Sequence, residues 1–225
     1  MLWSKAIGAG GFGSLTASSM TFVKSQEVAL ATNMTISSAG LVNGDLLILM
    51  LFTFNPTNLS PEVYPPLSQG TGWNTISTKD SVTGTVQEAY GVYYTKYEAG
   101  VTPLTTTNAT GQGMRHLCLV FRPDIECNYY DDNFSYESAN PRAVQQIMGD
   151  HTDKARVSYV INMGYPNTPQ ITLSNELFES FVGSGFNRYA YGISNADDNS
   201  IITADATVTN TTANILLSGI IYADK

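Results

Sequence analysis

Few residues of this chain are of types that do chemistry, and their spacing sets tight limits. Nucleophilic catalysis needs a serine or cysteine beside a histidine, and the sequence has only His116 and His151. His116 lies two residues from Cys118 in an apolar, strand-like run, so the pair shares one face. The ordinary reading is a packed cysteine and a satisfied histidine inside a sheet. No G-x-S-x-G elbow occurs. Gly8-Ala9-Gly10-Gly11-Phe12-Gly13 matches G-x-G-x-x-G, but dinucleotide binding needs a strand before the glycines and a helix after them. Here seven residues precede and a Ser/Thr-rich stretch follows, so a glycine-rich arm is expected. A glycosidase needs two convergent carboxylates; Glu88 and Glu98 are the only pair worth naming. No Cys/His spacing fits zinc. The acidic groups Asp131-Asp132-Asn133, Asp150-His151-Thr152-Asp153 and Asp197-Asp198-Asn199 are weak calcium candidates, with Asp197 and Asp198 the foremost, and solvated turns are their default reading. No cofactor is implied and no enzyme is expected.

Aromatic residues offer a different chemistry. Of thirteen tyrosines, Tyr90, Tyr93, Tyr94 and Tyr97 crowd one strand and read as core or sheet surface. Tyr129, Tyr130 and Tyr136, within YYDDNFSY, read as a loop set able to contact a ligand such as a glycan. Tyrosine suits that role because a flat apolar ring carries a polar tip.

The elements that must position these residues are strands. Polar positions are mainly Thr, Ser and Asn, which suit strand surfaces and turns. Asn43-Gly44-Asp45 signals a turn, and DLLILMLFTF after it is apolar on both faces, which predicts a central strand. RVSYVINM alternates with period two. Short strands of this kind between Gly, Pro and Asn turns predict an all-β, antiparallel sandwich or barrel, with the sandwich preferred. One short helix is expected from Asn140 to Gly149, capped by Asn140 with Pro141 at its first position. Residues 1–20 read as a flexible Gly-rich docking arm, with Trp3, Ile7 and Phe12 as apolar anchors. Residues 21–225 read as a single sandwich domain, with an acidic, Tyr-rich loop region inserted at 124–153. Neither a signal peptide nor a membrane helix is recognised. The net charge of −8 repels phosphate backbones and argues against nucleic acid as partner. A Cys118–Cys127 disulfide is disfavoured because Cys118 is placed within a strand.

The two halves echo each other. Ala89-Tyr90-Gly91-Val92 recurs as Ala190-Tyr191-Gly192-Ile193. Thr105-Thr106-Thr107-Asn108-Ala109-Thr110 recurs as Thr207-Val208-Thr209-Asn210-Thr211-Thr212. Each Thr-rich string precedes an apolar strand. A pseudo-symmetric fold built from two similar sets of strands is therefore expected.

The succession NGDLLILMLF, GWNTIS, EAYGVYYTKYEAG and RHLCLVFRP resembles a jelly-roll-type domain found in bacteriophage virion proteins. The likeness covers residues 20–125, with a looser continuation to the C-terminus. It implies a capsid decoration, head or tail surface protein, made in the host cytoplasm and placed in the virion. It also implies other virion proteins and further copies of this chain as partners. A carbohydrate-binding adhesin, contacting a host-surface glycan, is the alternative.

Overall fold

The computed structural model describes residues 19–55, 72–83, 86–107, 113–138, 145–147, 155–165, 170–173, 178–184, 187–194, 202–207 and 213–224. Every regular element among them is a β-strand, and every strand pairing is antiparallel.

The first half supplies β1 (Met20–Ala31), β2 (Asn33–Thr35), β3 (Leu46–Asn55), β4 (Asn74–Thr83), β5 (Val86–Lys96), β6 (Thr105–Thr107) and β7 (Met114–Pro123). The second half supplies β8 (Asn128–Ser138), β9 (Gln145–Ile147), β10 (Arg156–Tyr165), β11 (Gln170–Leu173), β12 (Phe178–Ser184), β13 (Asn187–Ser194), β14 (Ile202–Thr207) and β15 (Ala213–Asp224). One five-stranded sheet runs β1-β7-β3-β5-β4, and the other runs β8-β15-β10-β13-β12. In each half the first and last long strands lie side by side, and the third strand from the edge is flanked by the last strand and by the Ala-Tyr-Gly strand. The short strands follow suit: β2 pairs with β6, while β14 lies between β9 and β11.

The run Leu46–Phe52 is central in its sheet, as its two-faced apolarity predicts, and it feeds two clusters. Leu46, Ile48, Met50 and Phe52 face one way, with Tyr90, Val92, Leu117, Leu119 and Phe121. That cluster continues into the second half through Cys127, Tyr129, Ala155, Val157, Ile221 and Ala223. Leu47, Leu49 and Leu51 face the other way, with Met34, Ile36, Trp73, Tyr93, Cys118 and Val120. Residues on β2 and in the nearby turns thus cover one face of the first sheet, while the opposite face shares its core with the second half. At ~25 cal/mol per Å2 of apolar surface removed from water, each such fully buried Leu or Ile contributes about 2 kcal/mol.

Three expectations are corrected. Residues 145–147 form β9, hydrogen-bonded to β14, where a helix is expected over 140–149; the rest of that stretch lies outside the described residues. A two-turn helix is marginal without tertiary support, and Ile147 finds a strand partner in Ile202. The segment 124–153, expected as an inserted Tyr-rich loop region, is in part β8, an edge strand of the second sheet. Its acidic residues hide a strand from a search for apolar alternation, yet charge is common on edge strands because it discourages further pairing. The arm also ends earlier than expected, since Met20 is fully buried in the shared core.

Candidate functional site

The turn Asn43-Gly44-Asp45 is the most densely bonded polar feature among the described residues. Gly44 holds a left-handed backbone, φ +96°, which an L side chain resists. Asn43 caps the neighbouring turn, with its Oδ1 accepting from the Ala99 N–H at 2.9 Å. Asp45 is wholly buried, and burying a carboxylate is costly unless it is paired and hydrogen-bonded. Arg122 meets that need as a two-pronged donor: Nε reaches Oδ1 at 2.8 Å, and a terminal nitrogen reaches Oδ2 at 2.9 Å. The same nitrogen also donates to the Gly40 carbonyl at 2.8 Å, and the Val42 N–H donates to Oδ2 at 2.9 Å. Hydrogen bonding to Asp45 raises the Arg122 pKa above its ordinary value. The backbone of this turn is tied to β5's end by Tyr97 N–H to Asp45 O at 2.7 Å and Gly44 N–H to Tyr97 O at 2.9 Å.

Tyr129 completes the joint from the second half, its hydroxyl donating to the Gly44 carbonyl. Burial, then the neighbouring Cys127, raises its pKa. Tyr129 is only 7% exposed, which corrects its expected role as a ligand contact: its ring belongs to the core and its hydroxyl to the turn. Beside the joint lies a half-open cleft of about 340 Å3, formed by residues 42–45 and 122–126. The carboxylate at its floor is already satisfied by Arg122 and Val42.

The other two residues of the tyrosine set have different places. Tyr130 is 43% exposed and stacks on Tyr222, its cross-strand partner, with ring centroids 5.6 Å apart and planes 24° apart. Tyr136 stands opposite Leu217 on the same strand, and its side chain is outside what the structure describes. Asp131, between Tyr130 and Asp132 on β8, hydrogen-bonds Tyr94 of the first sheet. Burial and then the Asp131 charge push the Tyr94 pKa up to about 12. Tyr222 and the Tyr94–Asp131 link are missed by sequence reading, because both depend on register between strands far apart in the chain.

The catalytic candidates are occupied by structure. His116 is fully buried; its Nε2 lies 2.9 Å from the Ala31 carbonyl, and Nδ1 has no hydrogen-bond partner. Burial lowers its pKa, opposed by the Ala31 bond. Cys118 is a free, wholly buried thiol whose pKa burial pushes up to about 12, so it carries no thiolate at neutral pH. Cys127 is also a free, buried thiol, with its pKa raised by burial. Glu88 lies in β5 and Glu98 opens the turn beyond its end at Lys96; the eight strand steps between Glu88 and Lys96 alone span roughly 25 Å, too far for a glycosidase pair. Among the described residues no three His, Cys, Asp or Glu side chains come close enough to hold a metal ion. Asp197, Asp198, Trp3, Ile7 and Phe12 lie outside the described residues.

Comparisons of the chain with protein-family models, with curated proteins and with solved structures return no match.

Proposed function

We propose that this chain is a non-enzymatic structural protein of a bacteriophage-like virion, a capsid decoration or head or tail surface component. It assembles through its N-terminal arm, in contact with other virion proteins and with copies of itself. One observation carries the proposal. The residues that bear the resemblance, the Asn43–Asp45 turn and the Arg122-Pro123 pair, are bound to each other and spent on holding the fold together. What resembles a virion protein here is thus an architectural joint rather than reactive machinery. Strand order supports the jelly-roll part of the proposal in one respect: in each half the first and last long strands adjoin, and short strands pair separately from the large sheet. The burial of His116 and Cys118 supports a role other than catalysis.

Deleting residues 1–15 tests the assembly route, because β1 starts at Met20. The truncated protein is expected to melt like the parent while disappearing from purified particles analysed by mass spectrometry. Normal incorporation of the truncated chain would end the proposal.

Tyr130 favours a second reading, a module that binds a host-surface glycan. Its exposed ring, stacked on Tyr222, supplies the aromatic face on which a sugar ring packs. Binding on a glycan array that vanishes in Tyr130→Ala would favour this reading over a purely structural one.

A further inference from the structure

The register of the two large sheets goes beyond their shared strand order. Across the first sheet one row reads Val28, His116, Leu51, Gly91, Thr78. Across the second, the row through the other Ala-Tyr-Gly glycine reads Ser135, Ser218, Val160, Gly192, Glu179. The five strands enter both rows in the same order, so each row assigns every strand of one sheet a residue-by-residue counterpart in the other.

The counterparts can be followed into the core. Three residues from the glycine row, Ile48 beside Leu119 matches Val157 beside Ile221. Five residues from it, Leu46 beside Phe121 matches Ala155 beside Ala223, and the next strand adds Phe22 and Tyr129. All of these lie in, or pack against, the one cluster that joins the halves. Each sheet therefore meets the other through the same face. Sizes are complementary, large Leu46 and Phe121 in one sheet against small Ala155 and Ala223 in the other, as interdigitating packing at interior density needs. In the sequence, the residues flanking these positions are Asp45 and Arg122 in the first half and Lys154 and Asp224 in the second, two opposite charges with the signs exchanged.

We infer that the chain is two copies of one β-unit fused in tandem, and that the inner face of each sheet is an interface whose partner is a second copy of that unit. The protein is a covalent pseudo-dimer with an isologous interface, the arrangement a twofold axis generates. This inference stands independently of the virion proposal.

A twofold relation makes a geometric demand. The natural joint from Pro123 of β7 to Asn128 of β8 is residues 124–127. The end of β15 and the start of β1 must then be as close together as those two ends are. The test is a pair of circular permutants opened between Glu126 and Cys127. One joins Asp224 to Met20 through a joint as long as 124–127; the other joins Lys225 to Met1 and keeps every residue of the chain. The expected result is that both fold and melt within about 5 °C of the parent, since a short joint between neighbouring ends adds little closure cost. Folding of the long-joint permutant alone would overturn the inference. Should both permutants fail, Leu119→Ala and Ile221→Ala in the uncut chain decide. Each is expected to lower the melting midpoint by roughly 5–15 °C, and an unchanged midpoint in Ile221→Ala overturns the matched interface.

Discussion

Leu47 beside Val120 in the first sheet and Arg156 beside Tyr222 in the second occupy matching places, four residues from their glycine rows on the outward side. The first pair is wholly apolar and sealed in a cluster with Met34, Ile36 and Trp73. The second pair brings a buried guanidinium and a stacked phenol to the same position. The inner faces show no such contrast, since Ile48 and Val157 are both aliphatic and both inaccessible to solvent. Where two units bury each other, apolar character is retained in both. Where each faces away from the other, the chemistry is free to differ. At this matched place the first half is apolar, and the second carries a guanidinium and an aromatic pair.

The strongest way to break this comparison is to attack the joint that anchors the first half. Arg122→Ala strands the Asp45 carboxylate, which has no exposure of its own. Breaking a buried pair in this way costs about 3–5 kcal/mol, and the partial exposure of the Arg122 side chain argues for the lower end. Urea unfolding is expected to show a loss near 3 kcal/mol. A loss below about 1 kcal/mol would mean that water replaces the guanidinium and that the turn is no keystone. Asp45→Asn is expected to cost less, because it removes the buried charge together with its partner's role.

Acid sharpens the comparison next, because the glycine rows hold His116 in the first half and Ser218 in the second. The folded-state pKa of His116 lies below its ordinary 6.5. Below that value the unfolded chain takes up the proton while the folded one resists. The His116 contribution is therefore complete above pH ~6.5 and is lost as pH falls toward the depressed folded value, by at most about 1.4 kcal/mol per pH unit. Between pH 7 and about 5.5, before most carboxylates titrate, stability is expected to decline in the parent. The decline should be shallower in His116→Gln, which retains a polar group for Ala31. Equal slopes in both proteins would remove His116 as the cause. Hydrogen exchange is expected to place the acid-induced opening in β1 and β7, which the His116–Ala31 bond joins.

Much of this was legible in the residues. The central strand could be read from Leu46–Phe52 because burial on both faces leaves no polar alternate positions. The two-unit plan could be read from the repeated Ala-Tyr-Gly, because those glycines sit at matching points of matching sheets. The joint was half legible: the Gly-Asp turn and Arg122-Pro123 stand out as motifs, but nothing local reveals that side chains 77 residues apart form one ion pair. Tyr129 reads as a loop residue because its neighbours Tyr130, Asp131 and Asp132 make the segment look solvated. Edge-strand alternation puts Tyr129 in the core and Tyr130 outside, and a pattern with acids on both sides conceals that period. At 145–147 the nearby capping residues point to a helix, while the strand partner that prevails, β14, is remote in sequence.

The smallest expected effect probes the outer row itself. Tyr130 and Tyr222 form a cross-strand aromatic pair, and such pairs add about 0.5–1 kcal/mol beyond simple contact. Tyr130→Ala is therefore expected to lower stability by about 1 kcal/mol, because its ring is already partly in water. Val120→Ala, at the place matching Tyr222 but sealed in the first-half core, leaves a cavity and is expected to cost more despite the smaller side chain, about 2 kcal/mol. Unfolding measurements on the two variants thus compare a ring on an outer row with a methyl pair in a sealed core. If Tyr130→Ala proved the costlier, the aromatic row would be a structural support of the second sheet. A smaller cost would leave its exposed ring available for contact with something outside the chain.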